Sequence, residues 1–307
     1  MFNRYYFHKS VPNRPRLRRN YLKFIGLLFI IIIGLVIVSF FRINGKTIYA
    51  NLSDPTSGVL LKQRQEQQAE DSVKLTTLKS TVNSVISNNS SINFEISAVD
   101  ISGGNKQLSF GVSGPMAAAS VSKVLVAIDF LAEVEKGQQT MSETLDDGDI
   151  ASYDMQQMIV VSDDTSWQSF IDQLTPNQLD SFARSIGVNS YDENNNTLSA
   201  YDTADLMAKL YEGKLVNKSN TDLLLGYLEQ ANYRQYMVPA VPSYDTIYHK
   251  IGLYNDNVND AAIITNGTQS ISLVIFTNGN GTYDWNNRAT LMQEITTAFL
   301  SYYGLSH

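Results

Sequence analysis

The chain of 307 residues contains no cysteine. Disulfides, thiolate metal sites and cysteine nucleophiles are thereby excluded. Histidine is scarce: His8, His249 and His307 are the only three. His8 precedes a long apolar run and His307 is the last residue, so a Ser-His-Asp triad would have to use His249. A histidine-rich metal centre is out of reach for the same reason. A serine enzyme built from this sequence needs another base, and lysine is the candidate. Acid is missing from the first 46 residues, which hold nine Lys or Arg. The remainder carries 14 basic against 30 acidic residues, a net of −16. So acidic a body lacks the basic surface that nucleic-acid binding requires. No internal repeat is present.

What the sequence does contain begins with an apolar run. From Phe24 to Phe41 stand eighteen residues without a charge, enough to span a bilayer with Lys23 and Arg42 snorkelling at the ends. Arg4, Lys9, Arg14, Arg16, Arg18, Arg19 and Lys23 precede it, and only Arg42 and Lys46 follow closely. The positive-inside rule therefore predicts a cytoplasmic tail over 1–23, a transmembrane helix over 24–41 and everything beyond residue 42 outside the cell membrane. A cleaved signal peptide is the rival, but the run is long for one and no Ala-x-Ala follows directly.

Residues 42–67 are polar and read as a stalk. Val73, Leu75, Leu78, Val82 and Ile86 then predict an amphipathic helix with a buried stripe. Phe94, Ile96 and Ala98 alternate with Glu95 and Ser97, the period of a strand. Gly103-Gly104-Asn105 turns the chain into a second strand near 107–112. Residues 120–240 are helical in pattern, including 201–211 and 221–230. Strands return at about 246–254, 260–265 and 271–276, the last continuously apolar and so predicted to be central and covered on both faces. A closing helix buries Leu291, Ile295, Ala298, Phe299 and Tyr302. This order predicts an α+β fold: an antiparallel five-stranded sheet flanked by N- and C-terminal helices, with an all-helical lobe inserted.

Three polar clusters fall at element ends in this layout: Ser120-Val121-Ser122-Lys123, Ser162-Asp163-Asp164 and Lys250-Ile251-Gly252. Ser120 is predicted in the first turn of a helix, with Lys123 three residues on over the same face, at the electropositive helix end. A serine is a poor nucleophile until a base takes its proton, and a lysine whose pKa is lowered by burial and positive surroundings is such a base. Taken singly, each cluster also has an ordinary explanation: an amphipathic helix, a helix cap, a strand-edge lysine. In order, on helix, loop and strand, the three resemble the S-x-x-K, S-D-N and K-T-G motifs of the penicillin-recognising serine hydrolases, within them the class A β-lactamases. The resemblance covers residues 68–307 and extends to Met158–Ser162 and Asn259-Asp260-Ala261.

That resemblance implies roles. Ser120 would be the acylated nucleophile and Lys123 its base or proton relay. Ser162 would pass a proton to the leaving nitrogen, backed by the charge of Lys250, and the backbone N–H groups of Ser120 and Leu253 would form the oxyanion hole. Asp164, Ile251 and Gly252 occupy the substrate-binding positions. The substrate would be a β-lactam or a peptidoglycan peptide, with no cofactor and no metal.

Three departures from the family pattern matter. Asp164 stands where the family usually has an amide, which keeps a lysine contact but loses a donor. Ile251 replaces a threonine whose hydroxyl helps to hold the substrate carboxylate. The loop from Val188 to Ser199 is much shorter than in the class A enzymes and lacks their Glu-x-x-Leu-Asn element, leaving Glu193 as its only glutamate. These departures favour slow deacylation, or at the extreme a wall- or partner-binding module on the same fold. A calcium loop over Asn255–Asp260 fails for want of the loop glycine and terminal glutamate.

Overall fold

The computed structural model describes residues 55–306. Its contacts divide the chain into two units, Met1–Asp71 and Ser72–His307. In the first, the described part is helical from Pro55 onward, and its side chains from Val59 are exposed. The apolar run 24–41, the basic tail and the first half of the predicted stalk lie outside the described residues; its second half is helical. Among the described residues, no helix is long and apolar enough to cross a membrane.

Helix α1 (Pro55–Asn88) is longer than its apolar stripe predicts. The buried stripe is Leu78, Val82 and Val85, with Ile86 beside it, whereas Val73 is exposed. The stripe therefore begins later than expected. Strands β1 (Asn93–Asp100) and β2 (Lys106–Gly111) form the predicted hairpin. A two-residue ribbon follows, β3 (Met116–Ala117) against β4 (Thr197–Leu198). The helical block comprises α2 (Lys123–Glu135), α3 (Ala151–Gln156), α4 (Asp164–Leu174), α5 (Pro176–Ser185), α6 (Ala200–Tyr211) and α7 (Lys218–Glu229). Strands β5 (Thr246–Tyr254), β6 (Asn257–Thr265) and β7 (Ser270–Asn278) lead into α8 (Trp285–Tyr303).

The sheet runs β2-β1-β7-β6-β5, antiparallel throughout, which is the predicted α+β architecture. Strand β7 is central, and its side chains alternate between two cores. Ile271, Leu273 and Ile275 face the core shared with α1 and α8, while Val274 and Phe276 face the core shared with the helical lobe. Burial on both faces explains why the run has no polar alternation. Helix α2 is buried from Lys123 to Ala132 and is apolar nearly all round, as a helix at the centre of a lobe must be. Strand β5 closes the sheet edge beside the start of α2, and that seam holds the polar clusters.

Candidate active site

Ser120 does not lie in an α-helical first turn. Residues Ala119–Ser122 form a 3₁₀ turn, and α2 starts at Lys123. Ala119 enters it with φ 51°, a left-handed value uncommon for a residue with a Cβ. The turn delivers the chain to α2, whose first residue, Lys123, follows Ser120 by three positions. Ser120 is half-buried, and both it and Lys123 line one cleft of about 730 Å³. Ser122 is 1% exposed and donates to the Ala119 carbonyl at 3.0 Å, so of the two serines Ser120 is the accessible one.

Lys123 is 2% exposed, and its Nζ donates to the carbonyls of Ser162 (2.7 Å) and Asp163 (3.1 Å) and to Asp164 Oδ1 (2.6 Å). Burial pushes its pKa down; the hydrogen bond and charge of Asp164 pull it back up. Both carbonyls are presented by a break in helical structure. A π turn (Gln157–Val161) follows α3, Ser162 adopts left-handed φ 65°, and Asp163 caps α4 by accepting from the Ser166 N–H at 2.8 Å. Lys250 is 1% exposed and donates to Ser162 Oγ at 2.8 Å. Burial first, then the charge of Lys123, pushes the Lys250 pKa down to about 7. An edge-strand gatekeeper would be solvated, and Lys250 is not.

Strand pleating decides the neighbours of Lys250. Ile251 points to the opposite face, where it is 3% exposed in the core beneath the terminal helices. It therefore does not line the cleft, and its expected place in substrate binding is corrected to one in the core. Gly252 faces the nucleophile turn, where an added Cβ would come 2.5 Å from the Ala118 carbonyl oxygen and 3.1 Å from the Val121 nitrogen. The glycine there serves close approach of strand to turn. Leu253 lines the cleft with Ser120. His249 shares the face of Ile251, is fully buried, and meets Asp260 Oδ1 through Nδ1 at 3.0 Å. It has no access to Ser120.

Residues outside the three motifs hold this seam. Asn259, buried in β6, donates through Nδ2 to the carbonyls of Ala117 (2.7 Å) and Ala118 (3.1 Å) and accepts from the Thr277 N–H at 3.1 Å. It ties the sheet to the residues leading into Ser120. A side-chain amide in a fully buried strand was the available signal. Asn196, at left-handed φ 45°, donates to the Ala119 carbonyl at 3.3 Å, while its own carbonyl accepts from the Ala118 N–H at 2.9 Å. The short loop thus folds back onto the nucleophile turn. Asp192 and Thr197 pair across its base, and Glu193 at its tip lines the same cleft as Ser120. Burial, then Asp180 and Asp192, push the Glu193 pKa up.

The model of the β-lactamase enzyme family matches residues 77–303. This chain belongs to that family. Solved β-lactamase structures share its fold. An engineered variant of the reconstructed last common ancestor of Gram-negative class A β-lactamases superposes with a TM-score of 0.69 at 17% identity, covering 75% of this chain and 99% of that one. PBP-A superposes at 0.67 with 20% identity, covering 73% of this chain and 95% of its own. A point mutant of PBP-A, solved as an acyl-enzyme complex with penicillin G, gives 0.67 at 21% identity over the same shares. No curated protein is matched by the sequence. In this β-lactamase family member, Ser120, Lys123, Asp164, Glu193 and Leu253 share the cleft, with Ser162 and Lys250 joined behind it by a hydrogen bond.

Proposed function

We propose that the protein is a membrane-anchored, extracytoplasmic serine hydrolase. Its Ser120 is acylated by β-lactams or by D-alanyl peptides of the cell wall, and the acyl group is released slowly. The observation that carries this reading is the pair of buried lysines bracketing one accessible serine. Lys123, three residues on from Ser120 at the start of α2, lines the same cleft, and Lys250 donates to Ser162 Oγ at 2.8 Å. Neutral Lys123 takes the Ser120 proton as Oγ attacks the carbonyl carbon. The oxyanion is held by the backbone N–H groups of Ser120 and Leu253. As the C–N bond breaks, Ser162 gives its proton to the leaving nitrogen and is resupplied through Lys250. Protonated Lys250 also meets the substrate carboxylate.

Slow release rests on the loop. Hydrolysis of the ester needs a water and a base within about 3 Å of it. Glu193 is the one loop glutamate on the cleft, without the neighbours that the family uses for this step. The anchor and outward orientation rest on Phe24–Phe41 and its flanking charges.

The test is intact mass spectrometry of the full-length protein in detergent, before and after incubation with penicillin G. A long-lived penicilloyl adduct on Ser120, absent in Lys123→Ala, is the expected result. No adduct would support the second reading, a wall- or partner-binding module. The three acceptors around Lys123 Nζ favour that alternative, because an ammonium can donate to all three and a neutral amine only to two. Rapid turnover abolished by Glu193→Gln would overturn the slow release and make Glu193 the hydrolytic base.

A further inference from the structure

Acid gathers in the loop between α2 and α3, away from the cleft. Asp147 and Asp149 are exposed in a tight turn closed by the Leu145 N–H on the Asp149 carbonyl (2.8 Å) and the Gly148 N–H on the Leu145 carbonyl (3.0 Å). The Asp149 N–H donates to Asp147 Oδ1 at 3.1 Å. Asp154, from the first helical segment after the loop, adds a third carboxylate. One oxygen of each of the three lies within 4.8 Å of the other two.

An independent observation sets this cluster apart from ordinary surface acid. Asp154 is 1% exposed. Its Oδ1 accepts from Ser166 Oγ at 2.9 Å, but its Oδ2 is buried with no hydrogen-bond partner. An unpartnered buried carboxylate oxygen is strongly disfavoured, and two further carboxylates beside it worsen the balance.

We propose that Asp147, Asp149 and Asp154 form a binding site for a hard divalent cation, Ca²⁺ foremost. Carboxylate oxygens are the ligands such ions prefer, and the lack of thiolate and imidazole groups has no bearing on an all-oxygen site. Two oxygens on a Ca²⁺ sphere of about 2.4 Å radius lie at most about 4.8 Å apart, whereas Mg²⁺ demands a tighter octahedron near 2.1 Å. The exposed side of the turn leaves room for water to complete the shell. The ion would act as a brace. Ser166 links Asp154 to Asp163, which caps α4 and whose carbonyl, with that of Ser162, holds Lys123. The proposal does not depend on the catalytic reading, since binding is measured without substrate.

The test uses full-length protein in detergent, stripped with EDTA and then titrated with CaCl₂ at constant ionic strength. Thermal unfolding and titration calorimetry are followed together. Wild type should bind one ion per chain and show a saturable Tm rise of about 3–10 °C at about 10 mM, with Mg²⁺ much weaker. Asp149→Asn, an exposed isosteric change, should fold and lose most of the rise; Asp154→Asn should lose it entirely. The rival is a shared proton between Asp154 and its neighbours. In that case wild type would take up no ion, and its Tm in EDTA would climb as pH falls, which overturns the proposal. An equal Ca²⁺ response in wild type and Asp149→Asn overturns it as well. Should Asp154→Asn not fold, Asp149→Asn and the calorimetric stoichiometry decide the matter.

Discussion

Replacing Asp164 with asparagine tests the chemistry at its centre. The two side chains have nearly the same shape, and Asn keeps an oxygen that accepts from Lys123, so the change removes chiefly a negative charge. That charge sits 2.6 Å from Nζ, with Lys123 side chain 2% exposed and Asp164 side chain 87% exposed. At this separation Coulomb's law gives about 6 kcal/mol at an effective dielectric of 20 and about 1.6 kcal/mol in water. Water around so exposed a carboxylate selects the lower end. At about 1.4 kcal/mol per pKa unit, Lys123 loses roughly one to two units. Its pKa is already lowered by burial, and Asp164 is the main group opposing that drop. If neutral Lys123 is the base, acylation rises with pH through the Lys123 pKa. Asp164→Asn should move that ascending limb to lower pH by about one to two units, speeding acylation by roughly 10- to 100-fold on the limb. The assay is the second-order rate of penicillin acylation followed across about pH 5–9 by quenched-sample mass spectrometry. Stability has its own sign: the fold penalises the charged form of a lysine whose pKa is lowered. Asp164→Asn should therefore cost stability at low pH and progressively less toward about pH 10. A limb that stays put, or moves to higher pH, refutes Lys123 as the titrating base.

Other perturbations probe neighbouring parts. Lys250→Met should abolish acylation yet stabilise the fold, because Lys250 is held near pH 7 by burial and its charged form is penalised below that value. A gain of roughly 2–4 kcal/mol at about pH 6, read as a Tm rise of about 5–10 °C that shrinks on approaching pH 10, is expected; a less stable variant at pH 6 would contradict it. Gly252→Ala places a Cβ 2.5 Å from the Ala118 oxygen. It should cost about 1–3 kcal/mol in denaturant titration and slow acylation by about 100-fold, and wild-type behaviour in both would show that the seam can yield. Protease added to cells stripped of their outer wall should digest the domain after residue 42 and spare the tail, whereas protection of the domain would reverse the orientation.

Much of the architecture was legible because its periodicities are local. The apolar run at 271–276 marked the central strand, and the alternation at 94–98 marked β1. Helix α5 was not separable from its surroundings, since among its described side chains only the apolar Leu179 and Ala183 are fully buried, in a polar stretch. The 3₁₀ turn at Ser120 depends on Ala119 at positive φ, and nothing about an alanine announces that. At Ile251 the needed information was present: a strand with Lys250 facing the cleft must turn its next side chain away. The threonine role implied by family resemblance outweighed the pleat. Asn196 gave a fainter hint, as one of three consecutive asparagines, a residue that tolerates left-handed backbone. Its grip on the nucleophile turn is a long-range contact that no window of sequence contains.

Gly252 makes the two sides of the cleft mechanically unequal. With no side chain on Gly252, β5 rests directly on the Ala118 carbonyl and on Val121 of the turn, and interiors so packed hardly compress. One jaw is rigid. The opposite jaw ends in Glu193, Asn194 and Asn195, the last two exposed, at a loop tip anchored chiefly from behind through Asn196 and β4. A bulky acyl group must therefore be accommodated by the tip, and selection for new substrates should act first on residues 193–195, leaving the strand side untouched.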